Sequence, residues 1–201
     1  MKKEKTLTMV QMALLAALVI VLQLFFSSVR VGPVTLSFVL IPIVIAGIFI
    51  GPVAGMLIGL LAGLTTLIQV FTSADPFYLF LVTANPAVTA VLCLVKTAAA
   101  GYFSGLLYRA LRKHKTPATF AASALCPVVN TGLFCLGMFL FFAEPLLNDP
   151  TFGELASANG VIYFILIGLA GVNFVIELIL NLILCPVIAD ALRRTKYFKN
   201  V

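Results

Sequence analysis

Long apolar blocks, separated by short clusters of Gly, Pro, Asn and charge, set the pattern of this chain. The blocks fall at about 7–29, 35–50, 52–71, 85–111, 117–143 and 160–192. A helix needs about 20 mostly apolar residues to cross roughly 30 Å of hydrocarbon, so the pattern predicts six transmembrane helices in one transmembrane domain over residues 1–201. In "FIGPVAG" Gly51 takes the bend and Pro52 opens a helix at its first turn. "TANPAV" makes Asn85 an N-cap followed by Pro86, and "KTPATF" assigns the same roles to Thr116 and Pro117. Apolar residues run on from Phe77 to Val95, so either the fourth helix begins before Asn85 or a short lid helix precedes it. The connection "EPLLNDPTFGELASAN" is long for neighbouring membrane helices, and loops of that kind often close over a site.

Helical periodicity collects polar side chains on particular faces. Asn173, Glu177 and Asn181 recur every fourth residue on the last helix. Asn85, Thr89 and Lys96 lie within about 40° of one another at 100° per residue, and "CPVVNTGLF" adds Asn130 and Thr131 from the fifth helix. Lys96 and Glu177 are the ionisable residues inside the apolar runs. Each costs about 2.5–3.5 kcal/mol on insertion scales, which makes both functional candidates. Counted back from Arg109 and Arg193, they sit at matching depths of about 20–24 Å. They can therefore pair with each other, or one or both can contact a ligand. Small residues form two further faces: Ala13 and Ala17 on the first helix, and Gly51, Gly55, Gly59 and Gly63 on the third.

Composition fixes the class. With 62% hydrophobic and 10% charged residues among 201, the chain reads as an all-α integral membrane protein of the cell membrane. The net charge of +6 does not form a nucleic-acid-binding stripe, because 11 of the 13 basic residues gather at the two termini and in the turn at 109–115. That distribution puts both termini in the cytoplasm and leaves Arg30 as the single basic residue of the outer loops. The first apolar run is too long for a signal-peptide core and reads as a mature helix. Cys93, Cys126, Cys135 and Cys185 lack CxxC spacing and read as reduced packing residues. Neither HExxH, GxSxG nor GxxxxGK[ST] occurs, which disfavours an enzyme, a resident metal or cofactor, and ATP hydrolysis by this chain.

In order and spacing, "VGPVTLSFVLIPIVIAGIFIGPVAG", "NPAVTAVLCLVKTAAAGYFSGLLYR", "CPVVNTGLFCLGMFLFF" and "GVNFVIELILNLILCPVIADAL", with the Ala13/Ala17 pair before them, resemble the S components of energy-coupling factor (ECF) transporters. The resemblance implies an S-component-like bundle of six helices within membrane lipid. It implies a subunit that binds a vitamin-like small molecule at the outer face and topples to deliver it. The expected partners are a transmembrane coupling (T) subunit and two cytoplasmic ATPases. Carried onto this chain, it implicates Asn85, Lys96, Asn130, Asn173 and Glu177 in binding, with Arg30, Phe77, Tyr78 and Tyr163 as outer-loop contacts, and Ala13 and Ala17 in coupling. A lysine in the site suits an anionic group, as in pantothenate or folate, and aromatic loops suit riboflavin. The competing reading is a stand-alone ion-coupled carrier of a small polar metabolite that uses Lys96 and Glu177.

Overall fold

Glycine against backbone organises the helices. In the computed structural model, which describes residues 2–26, 30–31, 34–35 and 37–195, α3 (Pro52–Thr72) and α5 (Pro86–Leu111) share the largest helix–helix contact. Their axes approach because one face of α3 is glycine. A Cβ on Gly63 would meet the Cys93 carbonyl at 2.7 Å, and a Cβ on Gly59 or Gly101 would strike the Thr97 or Gly55 carbonyl. The glycine face foreseen on the third helix is thus an internal seam. Gly51, at φ 135°, makes the turn from α2 (Leu40–Phe49) to α3 in a conformation that other residues seldom adopt.

Around this pair stand α1 (Lys2–Phe26), α6 (Lys115–Gly137) and α10 (Gly171–Arg193). α6 continues through a π-helical stretch, Met138–Phe142, into α7 (Ala143–Leu147). α10 is entered from α9 (Val161–Tyr163) through a second one, Phe164–Leu169. Five helices are therefore long and apolar enough to cross a membrane: Lys5–Phe25, Pro52–Thr72, Pro86–Leu111, Lys115–Leu147 and Val161–Arg193.

The second predicted span needs correction. Its helix covers 10 residues rather than 35–50, about 15 Å, or half the hydrocarbon thickness. Pro42, which lacks an N–H, lies in the first turn of α2, where no donor is needed. Before it lies a two-residue pairing, β1 (Arg30–Val31) antiparallel to β2 (Val34–Thr35). α2 is buried on every side, with Leu40, Ile43, Val44 and Ala46 at the centre of one of the two apolar cores.

Two connections are themselves helical, and one predicted cap moves. Phe77–Ala84 is a separate helix, α4 (Pro76–Ala84), ahead of α5. The loop at 144–159 is built, from α7 and α8 (Gly153–Asn159), rather than slack. Thr116 does not cap its helix, because α6 begins one residue earlier, at Lys115.

At the end of the bundle where α5 and α10 finish, the Arg193 guanidinium joins three helices. It donates to the Tyr108 hydroxyl at 3.0 Å and to Thr119 Oγ1 at 2.7 Å, and it pairs with Asp190 at 3.0 Å. The glycine seam makes a prediction. Gly101→Ala should cost about 1–3 kcal/mol, because backbone rather than a flexible side chain must move. Gly132→Ala, with nothing within 4 Å of its added Cβ, should leave stability unchanged or slightly raised. Melting temperatures of the two variants in detergent compare them, and equal values would contradict the seam.

Candidate binding site

Past Gly63 the glycine seam ends, and the helices leave a cavity of about 70 Å³ between them. At roughly 10–15 Å³ for each water it has room for several. It lies at the end of the bundle away from Arg109, Arg112 and Arg193, where α5 and α10 finish. α3 supplies Thr66 and Val70, α5 supplies Thr89, Cys93 and Lys96, α6 supplies Asn130, Thr131 and Phe134, and α10 supplies Asn173, Phe174 and Glu177. α1 closes one side with Leu22 and Gln23. Gln23 hydrogen-bonds Gln69 and Thr66 and so fixes α1 to α3 at this level.

The lid is α4. Asp75 caps it by accepting from the Phe77 and Tyr78 N–H groups at 2.9 and 3.0 Å. Its inner face places Phe77, Tyr78 and Leu81 on the cavity. Phe77 meets Phe134 and Phe152 edge-on, with ring centroids 6.3 and 5.9 Å apart, and Phe80 packs on Phe142 and Phe152. Thr89 Oγ1 donates to the Leu81 carbonyl at 2.8 Å, which pins the lid's last turn to α5. The aromatic cluster joins α4 to α6, to the first π-helical stretch and to the start of α8. α4 therefore rests on the connection between α6 and α9.

Two charges face the cavity without pairing. Spacing along the helices allows a Lys96–Glu177 ion pair, but among the described residues none joins them within 4 Å. Lys96 instead holds its ammonium over the Phe134 ring, 5.1 Å from the centroid, a contact of about 0.5–2 kcal/mol. Glu177 is buried and accepts the Ser37 N–H at 2.7 Å. Ser37 lies just ahead of α2, where its N–H has no helical carbonyl to bond. The carboxylate also stands near the positive end of α2, where a negative charge is favoured. Asn181, one turn below, donates to the Glu177 carbonyl at 2.8 Å and accepts from Cys185 Sγ, so the polar stripe of α10 is largely bonded within itself. On α6 the Asn130 amide is 4% exposed and its Oδ1 has no hydrogen-bond partner, which costs about 1–3 kcal/mol until a donor arrives.

Of the candidates from the sequence, Lys96, Asn130, Asn173, Glu177, Phe77 and Tyr78 line this one cavity. Asn85 does not. Its side chain accepts the Val88 N–H at 3.1 Å and is used as the N-cap of α5. Tyr163 is 56% exposed and borders a shallow outer depression with Phe139 and Ala143, because the π-helical stretch after it shifts its face away from that of Asn173. The Arg30 side chain lies outside the described residues. Ser37, Gln23, Thr66 and Cys93 escape the sequence reading. Pro42 is the signal for Ser37, since proline favours a first helical turn. Gln23 and Thr66 carry no such signal.

α1 is the least embedded span. Met12, Leu15, Ala16, Val19 and Leu22 pack on the core, while Ala13 and Ala17 are exposed with Leu14 and Leu18 on the outer side. All four cysteines are unpaired, and three of them are buried.

Comparison with curated proteins finds no match. A family profile described as ECF transporter, substrate-specific component, does match, over residues 7–189. That range takes in α2, every described residue of the cavity and all five long helices but for the start of the first and the end of the last. Members of this family are substrate-binding subunits of transporters and not enzymes. A match across so much of an all-helical, multi-pass chain is decisive: the protein belongs to the ECF transporter substrate-specific components and is a membrane protein.

Proposed function

We propose that this chain captures a small water-soluble vitamin, with pantothenate, riboflavin and folate the leading candidates, and delivers it as the binding subunit of an ECF-type ABC importer. The observation that carries this reading is the polar cavity beneath α4, where an unpaired amide and two unpaired charges converge in an otherwise apolar bundle. Such groups are costly in a membrane unless something else uses them. α4 is the lid in this reading, and it opens to admit the ligand.

The remaining parts follow from the same arrangement. The chain is a single transmembrane unit that crosses six times with both termini inside. The sixth crossing is α2 together with the segment before it, and irregular backbone at that depth is tolerable because α2 is surrounded by protein. Basic residues at the end away from the cavity put that end in the cytoplasm. Ala13 and Ala17, small, exposed and four residues apart, let a transmembrane coupling subunit approach α1 closely. Two cytoplasmic ATPases on that subunit supply the energy, and the chain topples in the membrane to release its ligand.

Mass spectrometry of the molecule released on denaturing the purified protein tests capture. The expected result is one vitamin. Asn130→Leu and Asn173→Leu should lower its occupancy roughly tenfold or more, since each removes a buried polar partner. Asn85→Ala should instead cost about 1 kcal/mol of stability through its cap and leave occupancy intact. Occupancy indifferent to both cavity substitutions would remove the site.

Coupling has a separate test. Ala13→Phe with Ala17→Phe should leave ligand occupancy unchanged and abolish co-purification with the coupling subunit, along with ATP-driven uptake into vesicles. Uptake by this chain alone, driven by an ion gradient, would replace the importer subunit with a secondary carrier.

A further inference from the structure

The proposed site leaves the chemistry of the captured molecule open, and the cavity walls narrow it. A flat conjugated ring is held best by stacking on a free aromatic face. Two of the aromatic rings that line this cavity, Phe77 and Phe134, are already engaged. The Lys96 ammonium stands over Phe134, while Phe77 meets Phe134 at 65° and Phe152 at 86°. None of these contacts forms one half of a parallel sandwich into which a ring could slide.

Hydrogen-bonding and charged groups are what the cavity holds in reserve. Lys96 has a ring beneath it and no carboxylate within 4 Å among the described residues. Glu177 has the Ser37 backbone N–H and side chain as partners and no cation within 4 Å among the described residues. Asn130 Oδ1 is an acceptor, buried, with nothing donating to it. A molecule complementary to this set offers an anionic oxygen to the lysine. It offers N–H or O–H groups to the amide oxygen and the carboxylate.

We infer that the ligand of this site is a small carboxylate bearing hydroxyl or amide donors, its carboxylate taking Lys96 and its donors taking Asn130 Oδ1 and Glu177. The inference rests on the binding role proposed above and adds the substrate class. Pantothenate has this chemistry in a compact form. Folate shares the carboxylate, and riboflavin lacks it.

The test is calorimetric titration of the ligand-stripped, full-length protein with pantothenate, with panthenol, whose alcohol replaces the carboxylate, and with riboflavin and folate. Pantothenate should bind, and panthenol should bind about 30-fold more weakly or worse. Lys96→Met should weaken pantothenate to the level of panthenol while leaving panthenol unchanged, and Lys96→Arg should recover part of the loss. That pattern is specific to a charge contact, since a merely structural lysine would affect both compounds alike.

Equal binding of the two compounds overturns the inference, as does equal weakening of both by Lys96→Met. Binding of folate that Lys96→Met weakens supports the carboxylate class as well; binding of riboflavin alone, abolished by Asn130→Leu, overturns that class but leaves the site standing. If none of the four binds, the molecule released on denaturation decides: one with a carboxylate and donor groups supports the inference, and one without overturns it. Failure of any molecule to bind or be released overturns the inference and the binding role together.

Discussion

The close approach of α3 to α5 is the constraint on which the other features depend. Gly55, Gly59 and Gly63 let the backbone of one helix lie against Thr97, Gly101 and Cys93 of the other, and Gly47 of α2 lies against Gly105 in the same way. Without water to drive helices together, association inside a bilayer relies on such contact, and small residues allow the most of it. The seam also has an end. One turn beyond Gly63 comes Thr66, then Val70, and side chains of that size face Thr89, Cys93 and Lys96 across the cavity. A bundle zipped by glycine over half its length and by larger side chains over the rest is tight at one end and hollow at the other.

Polar groups in the hollow end follow two strategies. Thr89, Asn181 and Cys185 bond to neighbouring backbone or to one another, so they cost little and tie elements together. Lys96, Glu177 and Asn130 are held in positions that leave capacity unused. Folding alone would favour apolar replacements at these three positions. Consistency between burial and polarity tends to fail where function requires it, and here it fails on three helices that face one cavity. The lid follows the same logic. Its rings pack edge to edge with Phe134, Phe142 and Phe152, a surface that can separate without breaking a backbone ladder.

Most of the long helices were legible because their length and apolar content have only one physical outcome. α5 was expected over 85–111 and runs Pro86–Leu111, since Asn85 and Pro86 punctuate its start. The stripe Asn173, Glu177, Asn181 was legible because α10 keeps a 3.6-residue period through it. Tyr163 came from the resemblance, as an outer-loop contact with no periodicity behind it, and in the fold it is exposed beside Phe139 and Ala143. α2 was overextended because an all-apolar run has no periodicity to mark its end. Ser37 was missed for a deeper reason: it contributes a backbone N–H, which every residue but proline carries. The Lys96–Glu177 pair was geometrically allowed, yet each charge found a nearer partner.

α1 shows how two roles can share one helix without a relay. Its outer face carries Ala13 and Ala17, the proposed coupling surface, and its far end carries Leu22 and Gln23 on the cavity wall. Six residues separate Ala17 from Gln23, about 9 Å along a continuous helix. Gln23 is bonded to Thr66 and Gln69 of α3, so the cavity end of α1 is fixed, whereas its middle is covered on one side only. A partner that grips the alanine face therefore holds a rigid rod whose tip is part of the ligand cavity. Tilting that rod strains the Gln23 bonds first, and the glycine seam between α3 and α5, in which α1 has no part, stays intact while it does so.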